Sequence, residues 1–515
     1  MNKLPQKNQL TIDGTSGDDL LIGTPDADTI NGLDGNDTLI GEGGVDNLRG
    51  GPGNDIYRAE TYDEDIRELE GEGYDAVYTV GDYALFQGQE IELFSAIDPT
   101  STVGLFMRGN QLSQTIIGTA GNDWISGNNG GDTLIGLAGD DTYEILEAED
   151  IILEDAGGGN DTAFVIYLVQ DYSLRPGWEV ENLATVFPDN NAPLNLTGNE
   201  FANRITGSAG VNTLIGGGGN DILAGAGGGD FYRVEDIGDI VIESVANNPA
   251  QVDSLYVAMS LSGYVLADDW GIEVLGAIDP MLTIVFDLTG NAQANTLFGS
   301  AGQNTLIGGG GNDTLVGFAG NDFYRVEGTN DRVLESAGGG FDWVYAGFSY
   351  RLAAGSEVEV LATLEPTLTD PLSLTGNEFA NEIYGNDGAN FLDGKVGDDL
   401  LIGRAGADIF AFTVSADGGN VDTIGDFLAG TDKIGLDDST FAGVAMPGTP
   451  GVPGPFNANA FVIGTAAGDA DDRIIYDSAT GRLFYDLDGN GAGAAYQFAT
   501  LAGAPVLAAS DFVVI

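Results

Sequence analysis

Beginning at Gly14, the sequence repeats every nine residues, in units starting at Gly14, Gly23, Gly32, Gly41 and Gly50. The sixth position is Asp each time (Asp19, Asp28, Asp37, Asp46, Asp55), and the eighth is apolar (Leu21, Ile30, Leu39, Leu48, Tyr57). The pattern returns in four further blocks of four units, beginning at Gly109, Gly198, Gly290 and Gly376. All 21 eighth positions are apolar, in a chain whose hydrophobic share is 43%. A nine-residue unit is too short to bury an apolar face by itself. It must stack on its neighbours, so the strict period predicts a repeat array rather than separate globular domains.

A longer period lies over the short one. The aromatic that closes each block recurs at Tyr57, Tyr143, Tyr232, Tyr324 and Phe410, in steps of 86, 89, 92 and 86 residues. Between blocks, Asp75, Asp161, Asp253 and Asp342 each precede a short β-type run, and Glu92, Glu181, Glu273 and Glu359 sit in stretches of alternating polarity. Period-two alternation reads as half-buried strand. The expected organisation is a tail over 1–13 and repeat blocks over 14–58, 109–144, 198–233, 290–325 and 376–411. β-Rich spacers fill 59–108, 145–197, 234–289 and 326–375, and a terminal region covers 412–515.

The chemistry of the unit follows from its residue types. Glycines at positions one, two and four allow a tight turn, and residues seven to nine form a short strand whose eighth side chain enters a shared core. The turn presents backbone carbonyls, and Asp adds a carboxylate. Such an all-oxygen set suits Ca2+, which takes six to eight oxygen ligands at about 2.3–2.6 Å. With 80 acidic and 17 basic residues, the net charge is −63, and a counter-cation would offset that repulsion. The same imbalance argues against nucleic acid, which needs Lys and Arg to neutralise phosphates. The chain has no Cys and no His. Disulfides, Cys/His zinc sites and His-dependent catalytic triads are therefore excluded. No apolar run is long enough to suggest membrane insertion.

The nonapeptide resembles the G-G-x-G-x-D-x-U-x unit of the RTX (hemolysin-type) calcium-binding repeat family. The resemblance implies an all-β parallel β-roll, or β-solenoid, in which two nonapeptides form one coil and each Ca2+ sits between a turn and the turn two units later. Counted that way, the blocks offer up to about 11 ions. The implied ligands are Asp19, Asp28, Asp37, Asp46 and Asp55, then Asp123, Asp132 and Asp141, then Asp221, Asp230, Asp313, Asp322, Asp399 and Asp408. The first two units of the last three blocks carry Asn instead (Asn203, Asn212, Asn295, Asn304, Asn381, Asn390), and the second block begins with Gln114. Fewer charged ligands mean weaker Ca2+ binding, so the tighter sites are expected in the first block. Asp and Asn also suit metal-free turns, which is the competing reading of every position.

After Phe412 the nonapeptides stop. The stretches Asp422–Phe427 and Gly430–Ile434 resemble the small β cap that follows RTX repeats in secreted proteases. A Pro/Gly-rich loop covers 446–455, and residues 473–485 read as a hairpin turning at Thr480-Gly481. Asp486 to Gly491 resembles the start of an EF-hand loop, but Gln497 stands where that loop needs a bidentate Glu, so a hairpin turn is the preferred reading. The end of the chain, Asp511 followed by Phe512–Ile515, resembles an uncleaved type I secretion signal. The expectation is a secreted calcium-binding protein, extracellular and either free or associated with the cell surface. Its folding would be driven by external Ca2+ and its role structural or adhesive. The partners would be the type I secretion machinery and surface polysaccharide or matrix proteins. No enzymatic activity is expected, because the repeats begin too early to leave room for an effector domain and His is absent. The alternative is a carbohydrate-active or carbohydrate-binding solenoid using paired carboxylates.

Overall fold

The computed structural model describes residues 9–166, 168–243, 251–258, 262–415, 419–446 and 454–515. Most of the N-terminal tail and of the loop at 446–455 lies outside the described residues. Two compact units divide the chain, Met1–Leu255 and Tyr256–Ile515.

In the first unit, strands of two to four residues recur along the repeats, and each pairs in parallel with the strand two further on. Leu20–Ile22 pairs with Thr38–Ile40, placing Leu21 beside Leu39, and Thr38–Ile40 pairs with Ile56–Ala59, placing Leu39 beside Tyr57. The intervening strands build the opposite face, where Ile30 lies beside Leu48 and Leu48 beside Ile66. Partners are 18 residues apart, so two nonapeptides make one coil of a parallel β-solenoid, as the resemblance implied. Glycine-rich turns keep the strands short, and the central side chain of each points inward. The eighth-position side chains are fully buried from Ile30 onward. Leu21 is only half-buried, because its strand is the outermost of its sheet.

The spacers continue the same coil. Ala76–Thr79 pairs in parallel with Ile56–Ala59 on one side and with Leu93–Ala96 on the other, and Val77, Phe94 and Met107 take the core positions. Within the unit, the closing tyrosines Tyr57, Tyr143 and Tyr232 are separated by nine strands each. Nine is odd and a coil has two strands, so successive blocks close on alternating faces.

The second unit repeats this construction, with Leu297 beside Leu315, Leu306 beside Tyr324, and Leu392 beside Phe410. It ends in the cap. Ile474–Asp477 and Arg482–Tyr485 form an antiparallel hairpin, with Gly481 at a φ of +76°, and Tyr496–Leu501 pairs antiparallel to the second strand. The EF-hand-like stretch is thus the connection of a β-hairpin. Phe512–Val514 pairs in parallel with Lys433–Leu436. Phe412, Phe441, Tyr485 and Phe498 pack edge to face at centroid distances of 4.9–5.1 Å. The antiparallel strands cover what would otherwise be an open sheet edge. Among the described residues, no helix is long and apolar enough to cross a membrane.

Candidate metal centres

From Asp28 onward, each position-six carboxylate first does a structural job. Its Oδ1 accepts the backbone N–H of the equivalent residue one coil below: Asp19 donates to Asp37 at 2.8 Å, Asp28 to Asp46 at 2.7 Å, and Asp37 to Asp55 at 2.6 Å. The ladder runs on into the spacers, where Asp55 donates to Asp75, Asp141 to Asp161, and Asp322 to Asp342. Glu92, Glu181 and Glu359 extend it by one more rung, accepting from Asp75, Asp161 and Asp342.

The second oxygen divides the 21 turns into two kinds. In ten of them the position-six side chain is hydrogen-bonded locally, although Asn390 engages only its Nδ2 and leaves Oδ1 without a partner. The Oδ2 atoms of Asp19, Asp28 and Asp123 accept the N–H and hydroxyl of Thr15, Thr24 and Thr119, at position two of the same turn. The Asn-bearing turns do the same with amides: Asn203 accepts from Asn199 N–H at 2.9 Å and donates to the Val180 carbonyl at 2.8 Å, and Asn295 and Asn381 repeat the pattern. We call these turns closed.

In the other eleven, position two has a positive φ: Leu33, Glu42, Asn128, Leu137, Ala226, Phe318, Lys395, Arg404 and the glycines 51, 217 and 309. Position four is a positive-φ glycine in all eleven and in none of the closed turns. With the turn rotated this way, Oδ2 of Asp37, Asp46, Asp55, Asp132, Asp141, Asp221, Asp230, Asp313, Asp322, Asp399 and Asp408 is buried with no hydrogen-bond partner. Among the position-six carboxylates, the match between backbone and orphaned oxygen is one to one. Eight of the eleven position-two residues are non-glycine, each in a conformation that costs about 1–2 kcal/mol. Strain of this kind gathers at ligand clamps. A buried carboxylate oxygen with no donor is also expensive unless a cation meets it. We call these turns open. Each block begins with two closed turns and ends with open ones, three in the first block and two in the others.

The predicted ligands therefore separate. Asp28 and Asp123 have both oxygens engaged and Asp19 has its Oδ2 held by Thr15, whereas the other eleven aspartates keep one buried oxygen free. The stacked partners Asp37 and Asp55 both belong to open turns. Burial pushes most open-turn carboxyls up, to about 7 for Asp132, Asp141, Asp221, Asp230, Asp322 and Asp399 and to about 6 for Asp55, Asp313 and Asp408, so a metal-free site would favour protons. At closed Asp28, burial acts in the same direction, but the hydrogen bonds from Leu10 and Thr24 bring the net shift below the ordinary value.

Position one is glycine for a steric reason. A Cβ on Gly32 would lie 2.2 Å from Asp37 Oδ2 and 2.7 Å from the Gly50 carbonyl. That packing reserves the space beside the free oxygen.

One group of acids was missed in the sequence. Glu68, Glu154, Glu243 and Glu335 each join a block's last Asp and a spacer Asp: Asp55, Glu68 and Asp75; Asp141, Glu154 and Asp161; Asp230, Glu243 and Asp253; Asp322, Glu335 and Asp342. In each group the ligand oxygens lie within 4.8 Å of one another, and all twelve residues are buried. The signal was present, since each Glu follows its Asp by 13 residues. It falls outside the nonapeptides, where a search by period nine does not look. The position-six acids other than Asp19 are buried in the turns and do not line an open groove, so the carbohydrate-active alternative gains nothing from them.

A family model described as the RTX calcium-binding nonapeptide repeat (4 copies) matches residues 11–39, 22–57, 108–143, 197–232, 289–332 and 375–410. No curated protein matches the chain.

Proposed function

We propose that this chain, which carries RTX calcium-binding nonapeptide repeats, is an extracellular calcium-dependent solenoid with a structural or adhesive role and no catalytic activity. The observation that carries the reading is the set of eleven buried, unpartnered carboxylate oxygens at position six, eight of them in strained turns. Those oxygens fit a hard cation, and the all-oxygen surroundings suit Ca2+ over softer metals. In a calcium-poor cytosol the carboxylates repel and the glycine-rich chain loses much entropy on ordering, so it stays unfolded and fit for export. Outside, where calcium sites bind with dissociation constants of about 10⁻⁴–10⁻³ M, ion binding becomes folding energy.

Type I export suits a chain that folds only after crossing. The acidic-apolar end (Asp511, then Phe512–Val514) would be read by the exporter while extended and then join the cap as a strand beside Lys433–Leu436. Far-ultraviolet circular dichroism of the full chain against Ca2+ tests the reading. The expected result at pH 8 is a coil spectrum in metal-free buffer and a cooperative gain of β signal near millimolar Ca2+. A fully β-structured chain without calcium at that pH would refute it.

A further inference from the structure

We propose that four of the five blocks end in a calcium site of a second kind, formed by the last nonapeptide and the spacer together: Asp55, Glu68 and Asp75, with the equivalent trios at the ends of blocks two, three and four. The inference rests on the calcium reading above and deepens it.

Geometry carries it first. Two oxygens bound to one Ca2+ at about 2.4 Å can be no more than about 4.8 Å apart, and the oxygens of each trio meet that limit. Asp55 Oδ2, Glu68 Oε2 and Asp75 Oδ2 are buried without a hydrogen-bond partner, and the same three atoms are orphaned in the trios of Asp141 and Asp322. These side chains are at most 6% exposed. The space between them is kept open by a glycine. A Cβ on Gly317 would fall 2.2 Å from Asp322 Oδ2, 2.1 Å from the Tyr324 hydroxyl and 2.7 Å from Glu335 Oε1.

The closing aromatic supplies an internal control. The hydroxyls of Tyr143, Tyr232 and Tyr324 donate to Glu154, Glu243 and Glu335, and Gly50 N–H is shared between the Tyr57 hydroxyl and Glu68 Oε1. The fifth block closes with Phe410. There the acid that meets the equivalent glycine is Asp426, and both of its oxygens are used, accepting Gly403 N–H at 3.0 Å and Arg404 N–H at 2.7 Å. Hydroxyl and free carboxylate oxygen are thus lost together. An ion in each trio would link the last turn of a block to the next coil, so calcium would fasten the spacers as well as the repeats.

The test uses the full chain. Bound calcium is counted by equilibrium dialysis at saturating Ca2+ for wild type, for the variant E68Q/E154Q/E243Q/E335Q and for D426N. The quadruple variant should hold four fewer ions with an unchanged circular dichroism spectrum, and D426N should hold as many as wild type. An unchanged count in the quadruple variant, or an equal loss per site in D426N, would overturn the proposal. Should the quadruple variant fail to fold, Tb3+ emission sensitised by tyrosine decides. Y57F/Y143F/Y232F/Y324F, which gives these blocks the aromatic that already closes the fifth, should lose most of that emission, and retention of it would overturn the proposal. A wild-type chain that binds no calcium at all would instead remove the underlying reading.

Discussion

Protons should replace calcium in holding this fold together. In each terminal trio three carboxylates approach within 4.8 Å. At an effective dielectric constant of 20, an ionised pair at that distance repels by about 3.5 kcal/mol and a fully ionised trio by about 10 kcal/mol. A whole domain is stable by only about 5–15 kcal/mol, so the metal-free fold cannot keep all three ionised in every trio. The carboxyls respond accordingly. Burial, then the neighbouring carboxylates, pushes Glu68, Glu154 and Glu335 up to about 9, and burial raises Asp75, Asp141 and Asp322 to about 7. In the unfolded chain these groups titrate near 4. Between about pH 4 and pH 9 the folded state therefore binds more protons than the unfolded state, and stability falls as pH rises. The stabilisation is fully present below the unfolded values and is lost as pH climbs through the folded ones. Calcium-stripped chain in metal-free buffer should be coil-like at pH 8 and gain β signal on titration to pH 5, and Ca2+ added at pH 8 should restore the same spectrum. A spectrum independent of pH over that range, or a loss of β signal on acidification, would refute the argument.

Three further outcomes follow from the turns and the core. Asp28→Asn should leave the number of bound calcium ions unchanged, because Thr24 and the Leu10 N–H already engage both oxygens, whereas Asp37→Asn should weaken binding measurably by calorimetry. Leu306→Ala empties a fully buried core position and should cost about 3–5 kcal/mol in denaturant unfolding of the calcium-loaded protein, while Leu21→Ala, on the half-covered first strand, should cost clearly less. Leu33→Gly relieves a positive-φ turn (+83°) and should stabilise the calcium-loaded fold by about 0.5–1 kcal/mol, read as a higher unfolding midpoint.

The coil was legible because it is written in one-dimensional spacing. An apolar residue every nine positions needs no tertiary information to be seen, and the buried row from Ile30 to Phe410 follows it. The two kinds of turn were not legible, because no single residue decides between them. Thr, Ser or Asn at position two accompanies closed turns, yet Asn128 sits in an open one at a φ of +68°, a conformation Asn tolerates. Glycine at position four is shared by every open turn, but Gly17 and Gly121 occupy closed ones. The state depends on whether the position-two N–H points at the carboxylate, which is a property of the whole turn. Charge counting ranked Asp28 with Asp37 for this reason, although only Asp37 keeps a free oxygen.

The order of the turns gives each block a direction. The first coil of every block buries no unpartnered position-six carboxylate oxygen and so needs no ion, and it can form wherever a neighbouring coil covers its core. The open coil that follows cannot, since each of its turns buries an uncompensated oxygen. In blocks two to four the next coil then treats the two edges differently. On one edge Asp150, Asp239 and Asp331 accept N–H groups from their own turns with the oxygen not used in the ladder. On the other edge stands the carboxylate trio. Among the described residues, dependence on the cation thus centres on the open coil and the trio beside it. A β-solenoid coil is stable only between neighbours, so these cation-dependent steps, recurring in every block, are enough to make folding of the intervening self-satisfied coils calcium-dependent as well.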